Sequence, residues 1–145
     1  MALHLIKLCV GADSIDDLEG FIRRRLAEKR SRGDPLEYHH TTRMVPKRRE
    51  QLIAGGSLYW VIRGQIAARQ TLRDVQPFID PHGTSRCRLI LDPTVVAVMP
   101  RPCRPFQGWR YMSGSDAPAD IDRVGGDVAI MPESLRRQLR ELGLI

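Results

Sequence analysis

The stretch SLYWVIRGQIAARQTLRDV, residues 57–75, decides the fold. Two runs that suit a pleated surface, 57–62 and 65–73, flank the dipeptide Arg63-Gly64, and a two-residue step with glycine second is the pattern of a tight hairpin. Alternation along the first run sets Leu58, Trp60 and Ile62 on one face and Tyr59, Val61 and Arg63 on the other. Trp60 is therefore expected in the core, and Tyr59 as a platform on which a planar ligand stacks. In the second run Gln70 shares a face with Ile66, Ala68 and Leu72. Its amide is thus directed to the apolar side, where either protein backbone or the edge of a ligand base has to satisfy it.

Working outward, CRLILD (87–92) and TVVAVMP (94–100) form a second strand pair joined at Asp92-Pro93, a turn-forming dipeptide. PRPCRPFQG (100–108) holds too many prolines for a sheet interior and is expected as an edge or loop. WRYM (109–112) reads as one more short strand. Upstream, LHLIKLCVG (3–11) is a buried strand ended by glycine. A helix follows, N-capped by Ser14, with Asp16 and Asp17 at its positive end and Ile15, Leu18, Ile22 and Leu26 at helical spacing, and Gly33 and Pro35 stop it. LEYHHTTRM (36–44) reads as a strand, and PKRREQLIAGG (46–56) as one or two helical turns opened by Pro46 and closed by the Gly55-Gly56 pair. MPESLRRQLRELG (131–143) is expected as a terminal helix. The sum is an α+β domain with a largely antiparallel sheet of six or seven strands, an N-terminal helix, a short middle helix and a C-terminal helix. A sheet of that strand number commonly curls into a barrel to remove its edges.

Composition bounds the function. A chain of 145 residues with 42% hydrophobic residues fits one folded domain rather than a disordered segment. The formal net charge is +6, and of 23 basic residues 20 are Arg. That excess favours polyanions, because Arg presents a planar fork of donors that matches phosphates and base edges, although a codon bias produces the same ratio. Cys9, Cys87 and Cys103 are too few and too widely spaced for a disulfide framework or a paired-cysteine zinc site. No run is apolar enough to span a bilayer, and the N-terminal stretch lacks the pattern of a signal peptide. The expected setting is cytoplasmic, with no metal and no cofactor.

From Lys47 to Arg73 a basic residue and short helix, a GG step and SLYWVIRGQIAARQTL resemble the core of PUA-like small barrels, including the ASCH and EVE branches. PFQGWRYMS (105–113) adds to the likeness. The whole chain also resembles an uncharacterised bacterial family of about this length. The PUA-like resemblance implies a single barrel domain over 1–145 that binds RNA or a modified nucleobase on a concave face with aromatics and Arg.

The residues themselves nominate a site. His39 and His40 are adjacent, so an extended backbone points them to opposite faces and they cannot share one metal ion. One is expected inward and hydrogen-bonded, the other as a proton carrier or base-stacking ring. Tyr38, His40 and Thr42 share one face of that strand; His39, Thr41 and Arg43 share the other. Lys47, Arg48 and Arg49 open the short helix against its dipole, an arrangement that phosphate would relieve. Trp109, Arg110 and Tyr111 place two rings around a guanidinium, which suits stacking on a nucleobase. Asp116 and Asp120 are candidate partners for Arg110. The leading expectation is an RNA- or modified-nucleotide-binding module in which the 39–49 segment and the 109–111 cluster flank one cleft. A small hydrolase or nuclease on nucleotide-like substrates, with His39 or His40 as general base and Arg43 or Lys47 holding the anion, is the second. A basic subunit that docks onto an acidic protein is the third.

Overall fold

A computed structural model describes residues 2–121. The sheet is built outward from the hairpin of β3 (Ser57–Ile62) and β4 (Gln65–Ile79). Arg63 and Gly64 both take positive φ, 52° and 75°, the requirement of a type I′ turn, whose twist matches that of the flanking strands. β4 runs six residues past the expected end at Arg73, through Pro77. A register shift between Leu72 and Asp74 lets it change partners: its first half pairs with β3 and with β6 (Val96–Pro102), its second half with β5 (Ser85–Leu91).

β1 (Leu3–Leu8) lies parallel to β3 and antiparallel to β7 (Trp109–Ser113), and β2 (Tyr38–Thr42) lies antiparallel to β5. The hydrogen-bonded path runs β2-β5-β4-β3-β1-β7, with β6 beside β4. With α1 (Ile15–Arg32) and α2 (Arg49–Ile53), the described residues form a mixed α+β fold of seven strands and two helices. Among the described residues the path is open, with β2 and β7 at its ends, so strand pairing there does not close the expected barrel. An isolated bridge between Val98 and Asp120, with the Met99 N–H donating to the Ala119 carbonyl, ties β6 to the segment after β7. The expected C-terminal helix lies outside the described residues.

α1 forms as its caps dictate. The Ser14 hydroxyl accepts from the Asp17 N–H, and Gly33 ends the helix in the left-handed region at φ 75°. Its stripe of Ile15, Leu18 and Ile22 is buried, with Leu26 packed beside it. α2 is shorter than expected and starts at Arg49, leaving Pro46, Lys47 and Arg48 in the preceding loop. Gly56 has no room for a side chain, because a Cβ there would collide with the Leu3 and Leu52 carbonyls. That glycine brings the end of α2 against β1 before β3 begins.

The central strand β3 buries both faces. Leu5, Leu58, Trp60, Ile62, Ala68 and Leu72 pack with α1 and α2 in one core, while Ile6, Tyr59, Val61, Ile66, Val98 and Met112 form a second core on the opposite face. Each fully buried Leu contributes about 1.5–3 kcal/mol relative to exposure. Tyr59, at 4% exposure, is thus a member of the second core rather than a surface platform. A strand covered on both sides leaves no outward face for a stacking ring, which is why alternation alone misplaced it.

Candidate functional site

The helix-bearing face carries a row of side chains set by strand register. Lys7 of β1 stands opposite Trp60 of β3 on one side and Trp109 of β7 on the other. The ring of His40 from β2 meets Trp60 edge to face, with centroids 5.2 Å apart. Lys7, Cys9, Arg25, Tyr38, His40 and Trp60 line a cavity of about 300 Å³ between α1, β1 and β2.

Two polar groups in this cavity are incompletely paired. The His40 Nε2 is buried with no hydrogen-bond partner among the described residues. Lys7 has no carboxylate within ion-pair distance among them. Burial, followed by the charges of Lys7 and Arg25, pushes His40 down to a pKa of about 4, so the ring is neutral at neutral pH. Desolvation also pulls Lys7 below the usual ammonium range. Burial, with Asp17 nearby, raises Cys9 to about 11, which keeps it a thiol rather than a nucleophilic thiolate. His40 is therefore the inward member of the pair, and its Nε2 lacks the hydrogen bond expected of an inward histidine.

The 43–48 loop is stapled to β7. The Trp109 indole N–H donates to the Met44 carbonyl at 2.7 Å, and the Lys47 N–H donates to the Tyr111 hydroxyl at 2.9 Å. Trp109 and Tyr111 meet edge to face at 4.8 Å, and the Arg48 guanidinium lies 5.8 Å from the Tyr111 ring. The structure thus brings the loop after the histidine strand and the Trp109–Tyr111 pair together. Lys7, which no motif singled out, joins them to His40. Its signal was available as the one cation interrupting an apolar strand.

Other nominated residues go elsewhere. Gln70, fully buried, accepts from the Trp60 indole N–H at 2.9 Å and donates to the Asp92 carbonyl at 2.8 Å, so protein rather than ligand satisfies it. Arg49 forms an ion pair with Asp74 at 2.5 Å instead of extending the basic loop. Arg110 packs over Phe106 at 4.6 Å, not between the Trp109 and Tyr111 rings. Asp120 pairs with Arg69 rather than Arg110, and an Asp116 oxygen accepts from Ser113. The Thr42 hydroxyl donates to the Met44 carbonyl, shaping the turn into the loop. His39 faces away from the cavity, near Lys29 and Arg88, whose charges add to burial in lowering its proton affinity. Arg43 is exposed.

Five arginines are neutralised by aspartates among the described residues: Arg32, Arg49, Arg69, Arg73 and Arg86. Arg25, which lines the cavity, and Arg48, beside Tyr111, are not among them, and Lys47 likewise has no ion pair among the described residues.

The class these features define is a mixed α+β protein, with seven strands and two helices among the described residues and a basic, aromatic-lined cavity on the helix-bearing face. The chain belongs to the family described as Protein of unknown function (DUF1489), whose model matches residues 5–145. No curated protein and no solved structure matches it. No helix of the described residues is long and apolar enough to cross a membrane.

Proposed function

We propose that this protein is a cytoplasmic binding module for RNA or a modified nucleotide, built on a PUA-like curled sheet. The observation that carries the proposal is the row Trp109–Lys7–Trp60, in register across three strands, with the unpartnered Nε2 of His40 buried at one end. A nucleotide supplies what this row lacks. Its phosphate gives the half-buried Lys7 a counter-charge, and a polar base edge gives His40 a hydrogen-bond partner. Arg25 lines the same cavity, and Lys47 and Arg48 lie against Tyr111 on the β7 side of the row, cations that suit a backbone that continues past one residue. The tie from β6 to the segment after β7 supports a curled, PUA-like sheet, since it covers part of an otherwise bare edge.

Binding to fluorescently labelled single-stranded RNA and to free nucleotides, measured across a salt series, tests the proposal. Affinity is expected to fall steeply with salt, and Lys7→Ala to weaken it while reducing the log–log slope by about 0.7 to 1, the share of one phosphate contact. Affinity indifferent to both salt and Lys7→Ala sinks the proposal.

A further inference from the structure

The opposite face of the same sheet holds a second cavity, of about 410 Å³, at the end of β1 and β3. His4, Ser57, Tyr59, Arg69 and Asp120 line it. Their polar atoms are largely withdrawn from solvent: His4 is 8% and Ser57 2% exposed, and the Arg69 and Asp120 side chains 19% and 12%. We propose that this cavity binds a small neutral molecule through a carbonyl oxygen of the amide class, and that it rejects the corresponding carboxylate.

The donor arrangement is fixed by bonds within the protein. The Ser57 backbone N–H donates to the His4 Nδ1 at 3.0 Å. Burial and the Arg69 charge hold the imidazole below its ordinary proton affinity, so the ring is neutral and its single proton sits on Nε2. The ring also meets Tyr59 edge to face at 5.0 Å, which restrains its plane. Arg69 donates from Nε and Nη2 to the two oxygens of Asp120, at 2.8 and 2.7 Å, and from Nη1 to the Ser57 hydroxyl oxygen at 3.0 Å. The Ser57 hydroxyl accepts that bond through one lone pair and keeps its own proton available to donate. Of the five N–H groups of a guanidinium, three are used in these bonds, and the others remain as donors. His4 Nε2–H, Ser57 O–H and Arg69 thus offer donors to one cavity.

Charge decides between acceptors of similar shape. The guanidinium is cancelled by Asp120 in a two-pronged pair, and His4 carries no charge. A carboxylate entering here would be desolvated beside Asp120, and among the described residues of the cavity the one cation, Arg69, is already held by Asp120, whereas a neutral carbonyl takes the same hydrogen bonds without that cost. The chain's positive net charge points the other way, so the preference is a property of the cavity alone.

The test is an NMR titration of the full chain with benzamide and, separately, benzoate, following the His4 ring and Ser57 amide resonances. Saturable shifts with benzamide, at least tenfold weaker with benzoate, are expected. Ser57→Ala, which removes one donor and keeps the backbone N–H on His4, should weaken benzamide about tenfold. Shifts that never saturate with benzamide, or equal or tighter binding of benzoate, overturn the proposal. Both ligand comparisons are made on the unaltered protein, so the outcome stands even if Ser57→Ala fails to fold. RNA binding concerns the other face, so each activity can be present or absent without the other.

Discussion

Trp60 stands between two regions that treat buried polarity in opposite ways. On one side its indole N–H donates to Gln70, which passes a second bond to the Asp92 carbonyl, and every polar atom in that chain has a partner within the protein. On the other side its ring packs on His40, whose Nε2 has none among the described residues. An amide closed on its own fold holds strands β4 and β5 in place. A buried imidazole nitrogen left open costs free energy on folding, and the proposed nucleotide would supply the partner that the described fold does not.

The sharpest way to break this contrast is Gln70→Leu. It orphans the Trp60 N–H and the Asp92 carbonyl together, and is expected to cost about 2–5 kcal/mol in urea unfolding. A loss below 1 kcal/mol would mean that the Gln70 bonds are dispensable.

Next in size is the pH response of the open side. His40 has a pKa of about 4 in the folded chain against an ordinary 6.5, so the unfolded state binds the proton first as pH falls. The stability tied to its neutral form is fully present above about pH 6.5 and is lost progressively as pH drops towards 4, on the order of 3 kcal/mol in all. Unfolding curves at several pH values should lose that much more in the parent than in His40→Leu. Parallel pH profiles for the two proteins would contradict the buried, neutral ring.

The smallest stability effect belongs to His40→Leu itself at pH 7. It removes a polar atom that has no partner among the described residues, so the change is expected within about 1 kcal/mol of zero, or slightly stabilising, while nucleotide binding falls about tenfold. A large destabilisation would place His40 in the same class as Gln70.

The elements were more legible than the site. The 63–64 hairpin, the Ser14 and Gly33 caps and the strand positions follow from local chemistry, because turns and caps need specific residues at specific φ. The far half of β4 was hidden, since RDVQP looks like turn sequence and only the partner change at the bulge makes it a strand. The parallel pairing of β1 with β3 is non-local and leaves no periodic trace. That pairing is what makes Lys7 the neighbour of Trp60 and Trp109, so the central member of the candidate row stayed invisible while Trp109, Tyr111, His40 and Lys47 stood out by residue type. Tyr59 was misplaced because alternation tells which side a residue takes, but not that both sides are covered; Gln70 was set on the correct, apolar side, and only the identity of its partners was hidden, because the Asp92 carbonyl reaches it through tertiary packing.

One strand threads both ladders without a break, and this has a mechanical meaning. β4 cannot be released from β5 at its far end without loosening the backbone that β3 and β6 grip at its near end. Amide protons in the two ladders should therefore exchange with solvent by one shared opening, so the surfaces on either side of the sheet persist or vanish as a unit.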